Sequence, residues 1–269
     1  MIKETHGGNI YKFDHKVYDF SANLNPLGMP ETVKQAVIGN IDKYESYPDP
    51  FNRELVREIS KFHQVQEELI CCGNGAADII FRSTLALKPA KALIVSPTFS
   101  EYEQALAAAD CRKIDHYLLK EEKGFQIQDD IFDLLDNSYD MMFLCNPNNP
   151  TGYLYTRREM NQIRDIVKKY DLYLFSDEVY REFIYTGSPY ISACHLEGIE
   201  QNVVLIDSVS KRYSECGIRI GALITKNAEV RSAVMKFCQA RLSPPLIGQI
   251  AAEASLDASE EYARETYDE

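Results

Sequence analysis

The sequence predicts an α/β fold built on a mostly parallel sheet. Three observations predict it: short runs that are nearly all apolar, longer amphipathic stretches between them, and polar residues gathered just after the runs. A strand covered by helices on both faces has no reason to alternate polar and apolar residues, so it reads as a continuous apolar run.

Taken in chain order, Gly75 to Leu87 reads as a helix entered from the glycine turn Gly73-Asn74-Gly75. Ala92-Leu93-Ile94-Val95 is the first run and ends at Ser96-Pro97; Met141 to Cys145 is the second and ends at Asn146-Pro147. Thr156 to Tyr170 is a helix, because Thr156 and Glu159 have capping-box spacing and Met160, Ile163, Ile166 and Val167 share one face. Leu172 to Phe175 ends at Ser176-Asp177, Val203 to Ile206 ends at Asp207-Ser208, and Gly221 to Thr225 is a further strand candidate. In sheets of this kind ligands sit beyond the carboxyl ends of the strands. The polar residues after each run are therefore where chemistry is expected.

Composition narrows the function. The chain has 269 residues, 45% of them hydrophobic, enough for a large domain and a smaller appendage. No run of eighteen apolar residues occurs, so no membrane span is expected, and the amino terminus lacks an apolar leader, which makes the cytoplasm the expected compartment. The net charge of −12 is spread along the chain and argues against nucleic acid, whose phosphates require a basic face. Seven cysteines with no CxxC pair read as reduced thiols, and five histidines without HxH or HExxH spacing make a metal site unexpected.

Four strand ends carry an unusual set: Pro97-Thr98-Phe99, Asn146 through Gly152, Asp177-Glu178-Val179-Tyr180, and Ser208-Val209-Ser210-Lys211 with Arg219 eight residues on. Each has an ordinary reading when taken singly. A strand-end lysine is usually solvated, Asn-Pro-Thr-Gly is a turn, Asp177 could cap a helix and Arg219 could pair with any carboxylate. Gly75 could be a plain turn glycine, Phe99 a core residue, and Tyr47 an aromatic packed before the Pro48 turn.

In combination and in this order the set resembles fold-type I pyridoxal-phosphate (PLP) enzymes of the class I/II aminotransferase family. The motifs are Gly73-Asn74-Gly75, Asn149-Pro150-Thr151-Gly152, Asp177 to Tyr180, Ser208 to Lys211, and Gly217-Ile218-Arg219-Ile220-Gly221. The resemblance implies a three-layer αβα PLP-transferase large domain and a small domain that is incomplete here. It implies an N-terminal arm with part of the small domain over residues 1–45, the PLP-binding large domain over 46–245, and the start of an interdomain helix over 246–269.

The resemblance also assigns roles. Lys211 would hold the cofactor as a Schiff base and serve as general base and acid, which requires a neutral amine. Asp177 would keep the pyridine nitrogen protonated so that the ring can draw electrons, and Asn149 and Tyr180 would bond the phenolic oxygen. The phosphate would be met by backbone N–H groups near Gly75, Ala76 and Ala77, by Ser208, Ser210 and the Arg219 fork. Phe99 would stack on the ring, Tyr47 would reach a partner's cofactor across a homodimer, and Asn25 and Asn149 would meet the substrate.

Residues 1 to about 150 are most similar to threonine-phosphate decarboxylase and histidinol-phosphate aminotransferase, through Gly7-Gly8-Asn9 after His6, Asp19 to Gly28 and Tyr47-Pro48-Asp49. From about Thr151 the motifs are closer to bacterial aspartate aminotransferase. The expected activity is amino transfer between a small amino acid and a 2-keto acid, with decarboxylation of a phosphorylated amino acid as the alternative. A silent cofactor-binding fragment is the third, since the segment that grips the substrate carboxylate in such enzymes is not expected before Glu269.

Overall fold

In the computed structural model, residues 7–257 are described, and beyond them Tyr262, Glu265 and Thr266. His6 and the terminal Tyr267-Asp268-Glu269 lie outside the described residues. Seven strands form one sheet: β1 (Ile70–Gly73), β2 (Lys91–Ser96), β3 (Lys113–Leu118), β4 (Met141–Cys145), β5 (Tyr173–Asp177), β6 (Val203–Ser208) and β7 (Gly221–Ile224). Their spatial order is β1-β7-β6-β5-β4-β2-β3. All neighbouring pairs are parallel except those made by β7, which runs antiparallel to both β6 and β1.

The helices are α1 (Glu31–Gly39), α2 (Arg53–His63), α3 (Ala76–Leu87), α4 (Glu101–Ala108), α5 (Arg157–Tyr170), the single turn α6 (Val209–Arg212), α7 (Ala228–Gln239) and α8 (Leu246–Leu256). Successive residues of β4 point to opposite faces. Met142 and Leu144 pack with Met160, Ile163, Ile166 and Val167 of α5. Met141 and Phe143 pack instead with Ile79 and Ile80 of α3, Ala105 and Leu106 of α4, and Val234 of α7. Each such side chain removed from water contributes roughly 1.5–3 kcal/mol. Two helical layers therefore enclose one sheet, as the apolar runs predict. A third cluster joins α2 and α8 to β1, β6 and β7.

Helix α5 starts where its sequence predicts: Thr156 accepts from the Glu159 N–H, and Glu159 accepts in return from the Thr156 N–H. The predicted helix from Ile247 onward is observed as α8 from Leu246 to Leu256, packed against α1 and α2. Among the described residues, no helix is long and apolar enough to cross a membrane.

The reversal of β7 sets up the site. Gly221, at its start, lies opposite both Gly73 at the end of β1 and Ser208 at the end of β6. The carboxyl ends of β1, β4, β5 and β6 therefore share one edge with the amino end of β7. The residues after Gly73, Cys145, Asp177 and Ser208, and those before Gly221, converge there.

Candidate active site

A cavity of about 530 Å³ opens at that edge, lined by Ala76, Ala77, Phe99, Asn149, Asp177, Tyr180, Ser208, Ser210, Lys211 and Arg219, with Asn23, Cys145 and Cys216 among the others. A larger cavity of about 840 Å³ lies at the opposite end of the sheet, beside Val203 and Ile224, and contains none of the sequence-predicted residues. Size alone would choose the second. The chemistry is in the first.

Asp177 is buried at the end of β5. The Tyr102 hydroxyl donates to its Oδ2 at 2.7 Å and the Val179 N–H to its Oδ1 at 3.2 Å. Burial pushes its pKa up to about 6, against the pull of those two donors. Tyr180, half-buried, accepts from Asn23 Nδ2 at 3.0 Å, and burial pushes its phenol up to about 12, so it stays a neutral donor.

Lys211 sits in the turn α6, half-buried, with its Nζ 2.9 Å from the Asn23 carbonyl and 3.9 Å from Cys216 Sγ. The Ser208 side chain caps this turn by accepting from the Ser210 N–H, and the two serine hydroxyls lie 2.8 Å apart. Behind the turn, buried Asp207 meets Arg212 Nη2 at 3.2 Å and His63 Nε2 at 3.0 Å. The Arg212 charge and the hydrogen bond from His63 hold its carboxyl well below the usual range against the cost of burial. Arg181 donates to His63 Nδ1, so the ring proton on Nε2 points at Asp207. This network anchors the strand end that presents Ser208 and Lys211.

Arg219 has φ +61° and donates from Nη1 to the Cys216 carbonyl at 3.0 Å. Its guanidinium lies against Gly75, which has φ +91°. A Cβ there would be 2.4 Å from Nη2, so only glycine admits this approach. Gly221 is constrained in the same way: a Cβ would be 2.5 Å from the Ala76 nitrogen. Ala76 and Ala77 open α3, where helix geometry leaves the N–H groups without intrahelical acceptors.

The remaining predicted residues are placed as follows. Phe99 and Asn149 line the cavity, Phe99 edge-on to Tyr102 with ring centroids 5.7 Å apart. Asn25 is not in the cavity. It is buried, with Nδ2 donating to the Arg212 carbonyl and Oδ1 accepting from the Leu27 N–H, so its polar atoms are engaged in the chain's own turn. Its neighbour Asn23 takes the cavity position. Tyr47 is 91% exposed and away from the cavity of its own chain. Tyr102, Asn23, Asp207 and Cys216 were not singled out from sequence. The one signal for Tyr102 was its place three residues after Phe99, and the one signal for Asp207 was its position beside Ser208.

The residues present fit pyridoxal phosphate. The cavity joins a lysine amine, a buried acid on its floor, and a glycine cradle that a Cβ would fill with an arginine fork beside it. Those are the donors an aldehyde, a ring nitrogen and a phosphate require.

The family model for aminotransferase class I and II matches residues 15–269. Threonine-phosphate decarboxylase of Salmonella typhimurium is 36% identical over 266 residues, 96% of this chain and 72% of that protein. Histidinol-phosphate aminotransferase of Bacillus velezensis is 29% identical over 90% of this chain and 66% of its own length. The Salmonella match runs well past Thr151, into the half whose motifs resemble aspartate aminotransferase. A crystal structure of aspartate aminotransferase from Thermotoga maritima superposes with a TM-score of 0.82 over 94% of this chain and 70% of that one, at 24% identity, which speaks to fold alone.

Proposed function

Since the chain belongs to the class I and II aminotransferase family, whose members depend on pyridoxal phosphate, we propose that it acts at the amino-bearing carbon of a small amino acid carrying a phosphate ester, removing its carboxyl group as carbon dioxide. The convergence of Lys211, Asp177 and Arg219 on one cavity carries the cofactor part of this reading. The 36% identity to threonine-phosphate decarboxylase across 96% of the chain favours decarboxylation, and reverses the order the motifs alone suggest. Amino transfer is the second reading, supported by the likeness to histidinol-phosphate aminotransferase.

When bound, the cofactor supplies an electron sink for the pair left at that carbon. The chain's own residues bind, orient and move protons. Ser208, Ser210, Arg219 and the N–H groups of Ala76 and Ala77 hold the phosphate. Asp177, kept rigid by Tyr102 and Val179, holds a proton at the ring nitrogen. Tyr180 and Asn149 orient the ring oxygen, and Phe99 covers one face. Lys211 delivers or removes the proton at the reacting carbon.

The two readings separate in one assay. With cofactor supplied, threonine phosphate is expected to release carbon dioxide faster than it passes its amino group to a keto acid. Amino transfer without carbon dioxide would establish the second reading instead, and no product with cofactor bound would count against both.

We further propose a homodimer with a shared site. Tyr47 at 91% exposure and Phe20 at 96%, with Tyr11 and Tyr18 also exposed, are large aromatics that a partner subunit could cover. The cofactor-loaded chain is expected to sediment at twice the chain mass. A monomer with full cofactor occupancy would rule the shared site out.

A further inference from the structure

We propose that Glu215 is a positioning residue for the cofactor: in its protonated form it ties α8 to the loop that carries Lys211 and Arg219, and so keeps the phosphate grip in place. The proposal rests on that cavity holding the cofactor phosphate.

Glu215 lies midway between Lys211 and Arg219 and is 0% exposed. An acid is out of place there unless something holds it. Among the described residues, its side chain has one polar partner, Ser255 of α8, whose Oγ is 2.5 Å from Oε1. The same Oγ is 2.7 Å from the Ala251 carbonyl. A serine hydroxyl has a single proton and cannot donate to both. If Glu215 is protonated on Oε1, it donates to Ser255, Ser255 donates to Ala251, and every short contact is satisfied. The second oxygen, Oε2, is buried with no hydrogen-bond partner. That is tolerable for the carbonyl oxygen of a neutral acid and costly for a carboxylate. Burial accordingly raises the carboxyl to about 7, against the pull of Ser255. Among the described residues of the C-terminal stretch, the titratable group facing it is Tyr262, whose phenol is pushed up to about 12 by burial and by the charge of Glu215. From its own loop, Tyr213 adjoins Tyr262, with ring centroids 6.1 Å apart.

A second contact makes this a latch. Gly248 lies two turns before Ser255 on the same face of α8. A Cβ at Gly248 would be 2.8 Å from the Ile218 carbonyl, so the helix backbone rests directly on the loop. Helix α8 thus grips the loop at Glu215 and at Ile218, on either side of Cys216. The Cys216 carbonyl is what Arg219 Nη1 donates to, with the guanidinium against Gly75. Releasing Glu215 frees the carbonyl that aims the arginine.

The sign follows from the proton. A carboxyl held near 7 when folded and 4.5 when unfolded costs the cofactor-free chain stability as pH rises from about 4.5 to about 7. Glu215→Gln, which keeps a neutral donor, is expected to remove that slope. Cofactor affinity weakens in the wild type above pH 7, where closing the latch requires taking up a proton.

The test titrates pyridoxal phosphate into the full chain by visible absorbance at pH 6 and pH 8.5, for wild type, Glu215→Gln and Ser255→Ala. The wild-type Kd is expected to match that of Glu215→Gln at pH 6 and to be about thirtyfold weaker at pH 8.5, which lies about one and a half units beyond the pKa at a factor of ten per unit. Other pH effects on the cofactor and its phosphate are common to both proteins and cancel in the ratio. Ser255→Ala is expected to weaken binding several-fold at pH 6. Parallel profiles for wild type and Glu215→Gln would overturn the role of Glu215 while leaving the cofactor site intact. Failure of the wild type to take up cofactor at either pH would overturn the cavity assignment and this proposal with it.

Discussion

Lys211→Ala is expected to abolish the visible absorbance band of the cofactor-loaded chain and to lower turnover by roughly 10²- to 10⁴-fold through loss of proton transfer alone. The fold should survive. The side chain is half-buried, and its removal deletes the hydrogen bond to the Asn23 carbonyl, at a cost of about 1 kcal/mol, and a long, weak contact to Cys216 Sγ. Lys226→Ala is the control. Lys226 also follows a strand, but it lies beside the larger cavity at the other end of the sheet. Its replacement should leave both band and turnover unchanged. Equal effects from the two substitutions would mean that the 530 Å³ cavity is not the site.

Asp177→Asn is expected to leave cofactor uptake nearly intact and to lower turnover by roughly 10²- to 10⁴-fold. An amide fits the same space: its oxygen can accept from the Val179 N–H, and the Tyr102 hydroxyl can turn to accept from the amide nitrogen. It can neither hold a proton at a ring nitrogen nor offset the resulting charge. Removing one partner of a buried charge pair costs about 3–5 kcal/mol, and each 1.36 kcal/mol is a factor of ten in rate. The direct check is kcat against cofactor Kd for the two proteins. A loss confined to Kd would make Asp177 a binding residue only. Tyr102→Phe should shift the same balance in a milder way, because it removes one of the two donors that oppose the burial of Asp177.

The parts of the molecule legible in sequence are those set by local pattern. Strands β2, β4, β5, β6 and β7 read directly because helices cover both of their faces and nearly every residue in them is apolar. Helix α5 read directly because Thr156 and Glu159 cap it within four residues. Strand β1 was missed: it is four residues long and is Ile-Cys-Cys-Gly, too short to stand out from a turn. Strand β3 was missed because it is an edge strand, with Lys113 and Leu118 exposed and Asp115 and His116 half-buried. The motif residues after the strands read as a set because the parallel topology gathers strand ends by construction.

What did not read was tertiary. Tyr102 reaches Asp177 from a helix seventy-five residues upstream, and Ser255 reaches Glu215 across forty residues. Neither spacing leaves a local trace. Asn25 shows the opposite case. Its motif position suggests a substrate contact, yet the backbone turns its amide inward to Arg212 and Leu27, and places Asn23, two residues earlier, in the cavity.

The central claim is that one amine of this chain carries the cofactor. Borohydride reduction of the cofactor-loaded protein, followed by proteolysis and mass mapping, tests it most directly. The reduced cofactor is expected on the peptide containing Lys211 and on no other; a label on Lys226 or any other lysine, or no label on a visibly yellow protein, would contradict it.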